Sequence, residues 1–516
     1  MSSGDHGNPM VSIDRGHRSS RQRMISALTR ESLDLLIVGG GIVGAGIVRD
    51  AALRGLRVGL VEQNDFAFGT SSRSSRLLHG GMRYLAQGRL KLVRESSVEK
   101  KIIHKIAPHL ANPLPFIFPA YRGNRDWVLW QLKIGVKIYD LLCSGRNFAK
   151  STWLNPRQTL ELTPSLNPEG LEGAVRYYDG FTNDARLVLD TLRSAERAGG
   201  IVLNYCRFNR AQKEKLWQCE IEDQVSSSSI QVAARAVVNA TGPWSANLPH
   251  SCVKLRLTKG VHIVVEQARL PVRDTIVMTD QKRILFAIPW GQRTIIGTTD
   301  TDYSGPLGNV LAEPNEIRAL LDIANRFFPN VRLRENDVIS TWAGLRPLIA
   351  DVHGRPSEIS RSHEIRNPEP GWWDVAGGKL TTHRLMAEQT LNGVVSFLRS
   401  SNQVDREFRP CKTAAEPLLP ASETEGISSV LPPEISRRLV EHFCTREWVV
   451  HLDDVMLRRT SWHVYRPDAP EVAEQVANWM SEPLGWSSDQ RGEEIERYRA
   501  ATSRNASQNV IEPAAV

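Results

Sequence analysis

The chain has 516 residues, 41% of them hydrophobic and 24% charged, an ordinary globular balance with length for about two to four domains. Its formal net charge of +8 favours anionic partners such as nucleic acid, a lipid surface or an anionic small substrate, and the lack of a long lysine-rich run argues against nucleic acid. No stretch supplies the roughly 18 consecutive apolar residues of a membrane span. Cys143, Cys206, Cys219, Cys252, Cys411 and Cys444 form neither a CxxC pair nor a zinc-ligand pattern, so no metal site is expected and the compartment reads as reducing.

In chain order, residues 1–32 are polar, with Arg15, Arg18, Arg21, Arg23 and Arg30, and lack the apolar core of a secretory signal; they read as a disordered tail. Leu35–Val38 is a buried-strand run entering glycines and an alanine-rich helix that ends near Gly55, and Arg57–Val61 is the next strand. From Asp126 to Cys143, the polar residues Asp126, Lys133, Lys137 and Asp140 form one stripe of a helix that is otherwise apolar. Such a helix, with Trp127 and Trp130, suits a membrane interface, or a core position with one wet edge. Ala236–Ala240 is another buried strand, stopped by Gly242 and Pro243. His262–Glu266 and Arg283–Pro289 suggest an antiparallel sheet in a second domain. Residues 401–434 read as a linker, 435–500 as helical and 501–516 as a tail.

The run Asp34-Leu-Leu-Ile-Val-Gly39-Gly-Gly41-Ile-Val-Gly44 is a GxGxxG between a strand and a helix. Gly39 serves the tight turn, Gly41 the approach of backbone to a pyrophosphate, and Gly44 the packing of helix on strand, with the pyrophosphate at the helix N-terminus. Glu62 ends the second strand, where a carboxylate accepts from ribose hydroxyls. The combination specifies a dinucleotide. Two features favour FAD over NAD: the small-residue turn Ala240-Thr241-Gly242-Pro243-Trp244, and Gly377-Gly378-Lys379-Leu380-Thr381-Thr382, a glycine turn opening a helix whose N-terminus suits negative charge on a reduced flavin. Either turn alone reads more readily as a plain structural one.

Thr70-Ser71-Ser72-Arg-Ser-Ser-Arg-Leu-Leu-His79-Gly80-Gly81-Met-Arg83-Tyr84-Leu resembles the signature of FAD-dependent glycerol-3-phosphate dehydrogenases. So do Asn183-Asp-Ala-Arg-Leu-Val-Leu, Lys259-Gly-Val-His262, Ile296-Gly-Thr-Thr-Asp300, Gly344-Leu-Arg346-Pro-Leu and the Gly-Gly-Lys run, in order from about 33 to 390, with a shorter echo around Glu447–Thr460. The resemblance implies an α/β fold: a Rossmann-like, glycine-oxidase-like FAD-binding domain within 33–400 (roughly 33–115, 180–255 and 340–400). An antiparallel-sheet substrate domain is interleaved with it (roughly 116–179 and 256–339), and a short C-terminal helical region follows. It further implies glycerol 3-phosphate as substrate, ubiquinone or menaquinone as acceptor, and a cytoplasmic location, peripheral on the inner face of the membrane. Some relatives use oxygen instead. The segment after Lys412 is shorter than in the long bacterial members, which implies a reduced C-terminal cap and leaves a homodimer open.

Oxidising a secondary alcohol with a flavin needs a base for the hydroxyl proton and a hold on the substrate during hydride transfer. A phosphate dianion suits arginine, whose planar fork donates two parallel hydrogen bonds. By resemblance, Arg83, Arg346, Arg361 and Lys379 are the pocket cations, with Arg346 beside the reacting end, and Tyr84 adds a hydrogen bond. His79 and His262 are the candidate bases, since histidine titrates near neutrality. His79 precedes Gly80 and Gly81, where backbone can approach a flat ring, and hydrogen bonding to flavin is its alternative role. The cofactor shell reads as Gly39, Gly41, Gly44, Glu62, Thr70, Ser71, Ser72, Gly80, Gly81, Ala240, Thr241, Gly242, Trp244, Gly378, Lys379, Leu380 and Thr381. The rival readings are an oxygen-using oxidase, an amine oxidase of the wider fold, an NAD-dependent dehydrogenase, and a non-catalytic, membrane-associated flavin-binding protein. The His79–Tyr84 run argues against the amine oxidase.

Overall fold

Strand β1 (Leu33–Val38) is buried at every position, as a strand covered on both faces must be, and it opens the chain's first sheet. The computed structural model describes residues 21–86, 88–124, 126–143, 147–281, 283–349, 363–401 and 406–506. Helix α1 (Ile42–Arg54) follows and stops at Gly55, whose φ of 87° gives the left-handed cap. Strand β2 (Val58–Val61) then pairs parallel to β1. The sheet runs His363–Glu369, Trp372–Gly377, Ser228–Asn239, β1, β2, Ile201–Leu203, with parallel pairing from Trp372–Gly377 to Ile201–Leu203. Helices α1, Asp184–Arg197 and His383–Ser400 pack together on one face, where Ile47, Val48, Val188, Leu192 and Leu391 share one core.

A second sheet of ten strands carries the interleaved segments. Its long pairs, Asn112–Tyr121 with Leu171–Phe181 and Leu255–Glu266 with Val338–Ile349, are antiparallel, while Thr275–Asp280 meets Asn112–Tyr121 in parallel. The antiparallel expectation therefore holds for all but that one junction. Beyond it, helices Arg437–Arg446, Trp462–Tyr465, Ala469–Leu484 and Ser488–Ala506 enclose their own core around Phe443, Val476 and Met480.

Three expectations change. Within the supposed tail, Arg21–Thr29 is helical, Leu28 is fully buried under β2, and Arg21 donates to Asp223 at 2.6 Å. The supposed linker is a packed strap: Phe408, Leu418, Leu419 and Val430 are buried, and the buried guanidinium of Arg49 donates to the Glu416 carbonyl at 2.7 Å. An irregular backbone without periodicity can still be held by side chains reaching into it from regular elements, which a pattern-based reading does not register. The helix Ser488–Ala506 also runs into the segment read as a C-terminal tail.

Candidate active site

The glycine turn does what its spacing requires. A Cβ on Gly44 would stand 1.9 Å from the Gly39 carbonyl oxygen, and one on Gly39, at φ +112°, would stand 2.6 Å from that of Ala240. At Gly41 a Cβ would meet only the Ser71 hydroxyl, at 3.2 Å, so glycine there keeps clear the open side of the turn, where a pyrophosphate approaches. Ser71 Oγ accepts from the Ile42 N–H at 3.0 Å, fixing the loop against the start of α1. Glu62 accepts from the N–H groups of Gly40 (2.7 Å) and Asn64 (2.9 Å), and burial pushes its carboxyl up.

Gly39, Gly41, Ile42, Glu62 and Ser71 line one cleft together with Thr70, Ala240, Thr241, Gly242, Trp244, Gly378, Lys379 and Leu380, while Gly44 stands behind the turn. The C-terminal ends of β1, β2, Ser228–Asn239 and Trp372–Gly377 open there, as ligand sites of open α/β sheets do. The cleft continues into a second one through shared walls at Ile42, Thr70, Ser71, Pro347, Gly378, Lys379 and Leu380. The second cleft gathers His79, Gly81, Tyr84, His262, Arg346, Lys379 and Thr381, from segments up to 302 residues apart. Gly80 lies under this wall, where a Cβ would strike the Tyr139 hydroxyl at 2.3 Å. Ser72 instead faces a third cavity. Arg361 and the side chain of Arg83 lie outside the described residues.

The side chains of Arg346, Lys379 and His262 and the backbone of His79 are held by named partners. Arg346 Nη1 donates to Asp300 at 2.9 Å and to the Thr299 carbonyl at 3.1 Å, and Nη2 donates to Thr298 Oγ1 at 2.9 Å. Lys379 Nζ sits 3.9 Å above the Tyr84 ring centroid, a cation–π contact. His79 N–H donates to Thr381 Oγ1 at 3.1 Å, tying the histidine loop to the late glycine turn, where Gly377 and Gly378 both have positive φ. His262 is 2% exposed, stacks on Trp342 at 5.0 Å and shares a 2.8 Å hydrogen bond with Ser75, while its Nδ1 is buried without a partner. Burial, then the positive charges of Arg346 and Arg76, push it down to about 3. It is a neutral imidazole at neutral pH.

Sequence reasoning missed the support beneath His79. Asp179 accepts from Tyr139 Oη at 2.5 Å and from buried Lys100 at 2.8 Å, and Tyr139 Oη accepts from the Gly80 N–H at 2.9 Å. Asp300 stood in a quoted motif with no role attached. Asp179, Tyr139 and Lys100 carry no local motif, and only the fold brings them together.

The family model described as FAD dependent oxidoreductase matches residues 34–390, and that of the C-terminal domain of alpha-glycerophosphate oxidase matches 422–491. Aerobic glycerol-3-phosphate dehydrogenase of Staphylococcus saprophyticus is 37% identical over 403 residues, 76% of this chain and 72% of that one. Its Bacillus subtilis counterpart is 37% identical over 406 residues, 77% and 73%. This chain belongs to the family of FAD-dependent glycerol-3-phosphate dehydrogenases. The solved glycerol-3-phosphate dehydrogenase from Bacillus halodurans, complexed with FAD, superposes with a TM-score of 0.73 at 28% identity, covering 94% of this chain and 97% of that one. The glycine oxidase of Geobacillus kaustophilus, at 19% identity and TM-score 0.56 over 73% of this chain, shows the same fold. FAD is the family's cofactor, and the cleared turn at Gly41, the buried Glu62 and the two joined clefts fit it.

Proposed function

We propose that this dehydrogenase oxidises sn-glycerol 3-phosphate to dihydroxyacetone phosphate and delivers the electrons to a membrane quinone. The observation that carries the substrate reading is the cleft itself: Arg346 and Lys379 stand with His79 and His262 in a space continuous with the dinucleotide cleft. Bound FAD supplies the hydride acceptor, N5, for the hydrogen at C2. Arg346, fixed by Asp300 and Thr298, holds the substrate dianion with a rigid fork, and Lys379 adds a second charge. His79 takes the hydroxyl proton, because His262, pushed down to about 3, is too weakly basic for that step. His262 and Tyr84 orient the substrate, and Arg83 and Arg361 are further candidates for its phosphate. Gly39, Gly41, Glu62, Thr70, Ser71, Thr241 and Trp244 hold the cofactor, along with Gly242, Ala240, Gly378 and Leu380.

The quinone and membrane reading rests on the helix Leu129–Leu142. Leu132, Val136 and Tyr139 are buried, while Trp130, Ile134, Ile138 and Leu141 form an exposed stripe, 60% exposed at Trp130 and 75% at Leu141, with Trp153 beside it. Lys133 and Lys137 flank the stripe, as on helices that lie in a bilayer interface. Among the described residues no helix is long and apolar enough to cross a membrane. A peripheral position on the inner face of the cell membrane follows from this reading.

The experiment is anaerobic mixing of the yellow protein with glycerol 3-phosphate, followed by oxygen or a soluble quinone. Bleaching that quinone reverses faster than oxygen supports the proposal. Faster reversal by oxygen assigns an oxidase, and no bleaching overturns the substrate.

A further inference from the structure

Strand Leu255–Glu266 borders the substrate cleft at Gly260, which pairs with Gly344 of Val338–Ile349 on one side, while Lys259 pairs with Thr301 on the other. A Cβ on Gly260 would stand 2.4 Å from Arg346 Nη2, 2.7 Å from its Cζ and 2.6 Å from Thr298 Oγ1. The guanidinium therefore lies on the bare backbone of this strand, in the space that any side chain at position 260 would fill. The crowded atoms belong to the contact that Nη2 makes with Thr298 Oγ1 at 2.9 Å. The same construction recurs nearby. Gly297 pairs with His262, and a Cβ there would stand 2.3 Å from His262 Cδ2. Two side chains of the cleft thus rest on a glycine of the neighbouring strand, and close approach of another group is what a glycine inside a strand commonly serves.

The backbone at Gly260 is fixed more firmly than the side chain above it. The Val261 N–H donates to Thr299 Oγ1 at 3.0 Å, and Thr299 Oγ1 in turn meets the Lys259 carbonyl at 3.4 Å. Buried Lys259 is held by Glu313 at 2.7 Å and Glu316 at 2.8 Å. Arg346, by contrast, ends a flexible chain on the cleft wall and keeps 17% of its side chain exposed. A methyl group at 260 is therefore accommodated by the arginine head, which leaves its clamp, rather than by the strand.

We propose that Gly260 is a positioning residue for the reaction: its missing side chain provides the flat bed on which the fork of Arg346 is aimed at the substrate. This inference rests on the substrate reading for what Arg346 does, but not for where Gly260 puts it.

The test is a double-mutant cycle of Gly260→Ala and Arg346→Gln in the FAD-loaded full chain, read by kcat and KM for glycerol 3-phosphate, together with a crystal structure of Gly260→Ala. That variant is expected to keep its flavin and to lose on the order of 10²-fold in kcat/KM, as misplacing a substrate-holding group by about 1 Å does. Its structure is expected to show the guanidinium parted from Thr298 over an unmoved strand. In the Arg346→Gln background, where Cζ and Nη2 are gone, the same alanine is expected to cost less than about threefold. Equal losses in the two backgrounds overturn the proposal, as does a wild-type rate in Gly260→Ala beside an impaired Arg346→Gln. A strand that shifts while Arg346 keeps Thr298 also overturns it. If both alanine variants fail to hold FAD, Gly260 serves the fold and the proposal falls, whereas failure of the single variant cured by Arg346→Gln supports it. Wild-type activity in Arg346→Gln would count against the substrate reading alone, and the crystal structure would then decide whether Gly260 places Arg346.

Discussion

Asp300 holds Arg346 at 2.9 Å on the wall of the substrate cleft, with the arginine side chain 17% exposed and the carboxylate 10%. An arginine so clamped presents its donors without first losing rotamer freedom, which is what a phosphate fork needs. Arg346→Ala is expected to lose about 10²–10⁴-fold in kcat/KM, two charge-assisted hydrogen bonds at about 1.5–3 kcal/mol each, while retaining FAD. Arg346→Lys should recover little of this, since an ammonium cannot reproduce the planar fork. Steady-state kinetics beside the flavin spectrum check both.

The two histidines are expected to separate. His79→Asn should slow anaerobic flavin bleaching about 10²–10⁴-fold, the range for a positioned base. His262→Asn should cost much less in that rate, because an imidazole pushed down to about 3 gives little as a base. Stopped-flow absorbance measures both, and equal losses would reassign the base.

How much of this was legible beforehand depends on the length scale of each contact. Gly39, Gly41, Gly44 and Glu62 serve a local βαβ unit, so spacing alone placed them on strand, turn and helix. Arg346 and His262 were reached by resemblance, and only the antiparallel pairing of Leu255–Glu266 with Val338–Ile349 explains why they share a cleft. The Asp179–Tyr139–Lys100 support joins three elements and shows no period or motif, so nothing in the sequence announced it. Its Tyr139 lies on the very helix read as a membrane or core element: Leu132, Val136 and Tyr139 do face a core, and Trp130, Ile134 and Leu141 do not.

Gly44→Val is expected to abolish FAD retention. The Cβ would stand 1.9 Å from a backbone carbonyl that has no flexible end to yield. The ratio of flavin to protein absorbance after purification is the measure, and a fully yellow variant would show that α1 can shift away from β1.

Stability should fall on mild acidification. Burial pushes His262 to about 3 and both His383 and His463 to about 4, against an unfolded value near 6.5. Below about pH 6.5 the unfolded chain takes up protons that the folded chain refuses, so each histidine removes up to about 1.36 kcal/mol per pH unit until its folded value is reached. Glu62 and Glu99, raised by burial, work in the opposite sense nearer their own titration, so the loss is cleanest from about pH 6.5 to 5. Thermal unfolding across that range should show Tm falling, and His463→Gln should make the fall shallower.

The exposed stripe gives the last expectation. Trp130 and Leu141 leave large apolar surface in water on a helix whose opposite side is anchored through Tyr139 to Asp179. At about 25 cal/mol per Å² of apolar surface, seating two such side chains in a bilayer interface is worth several kcal/mol, with Lys133 and Lys137 adding attraction to anionic headgroups. Trp130→Glu with Leu141→Glu should therefore abolish sedimentation with phosphatidylglycerol vesicles while glycerol 3-phosphate still bleaches the flavin, since neither residue lines the cleft. Reduction of a quinone embedded in the vesicles should drop in parallel with binding, whereas a short-chain soluble quinone should be reduced at the original rate. Unchanged sedimentation would leave the stripe without a membrane role and remove the main support for a bilayer acceptor.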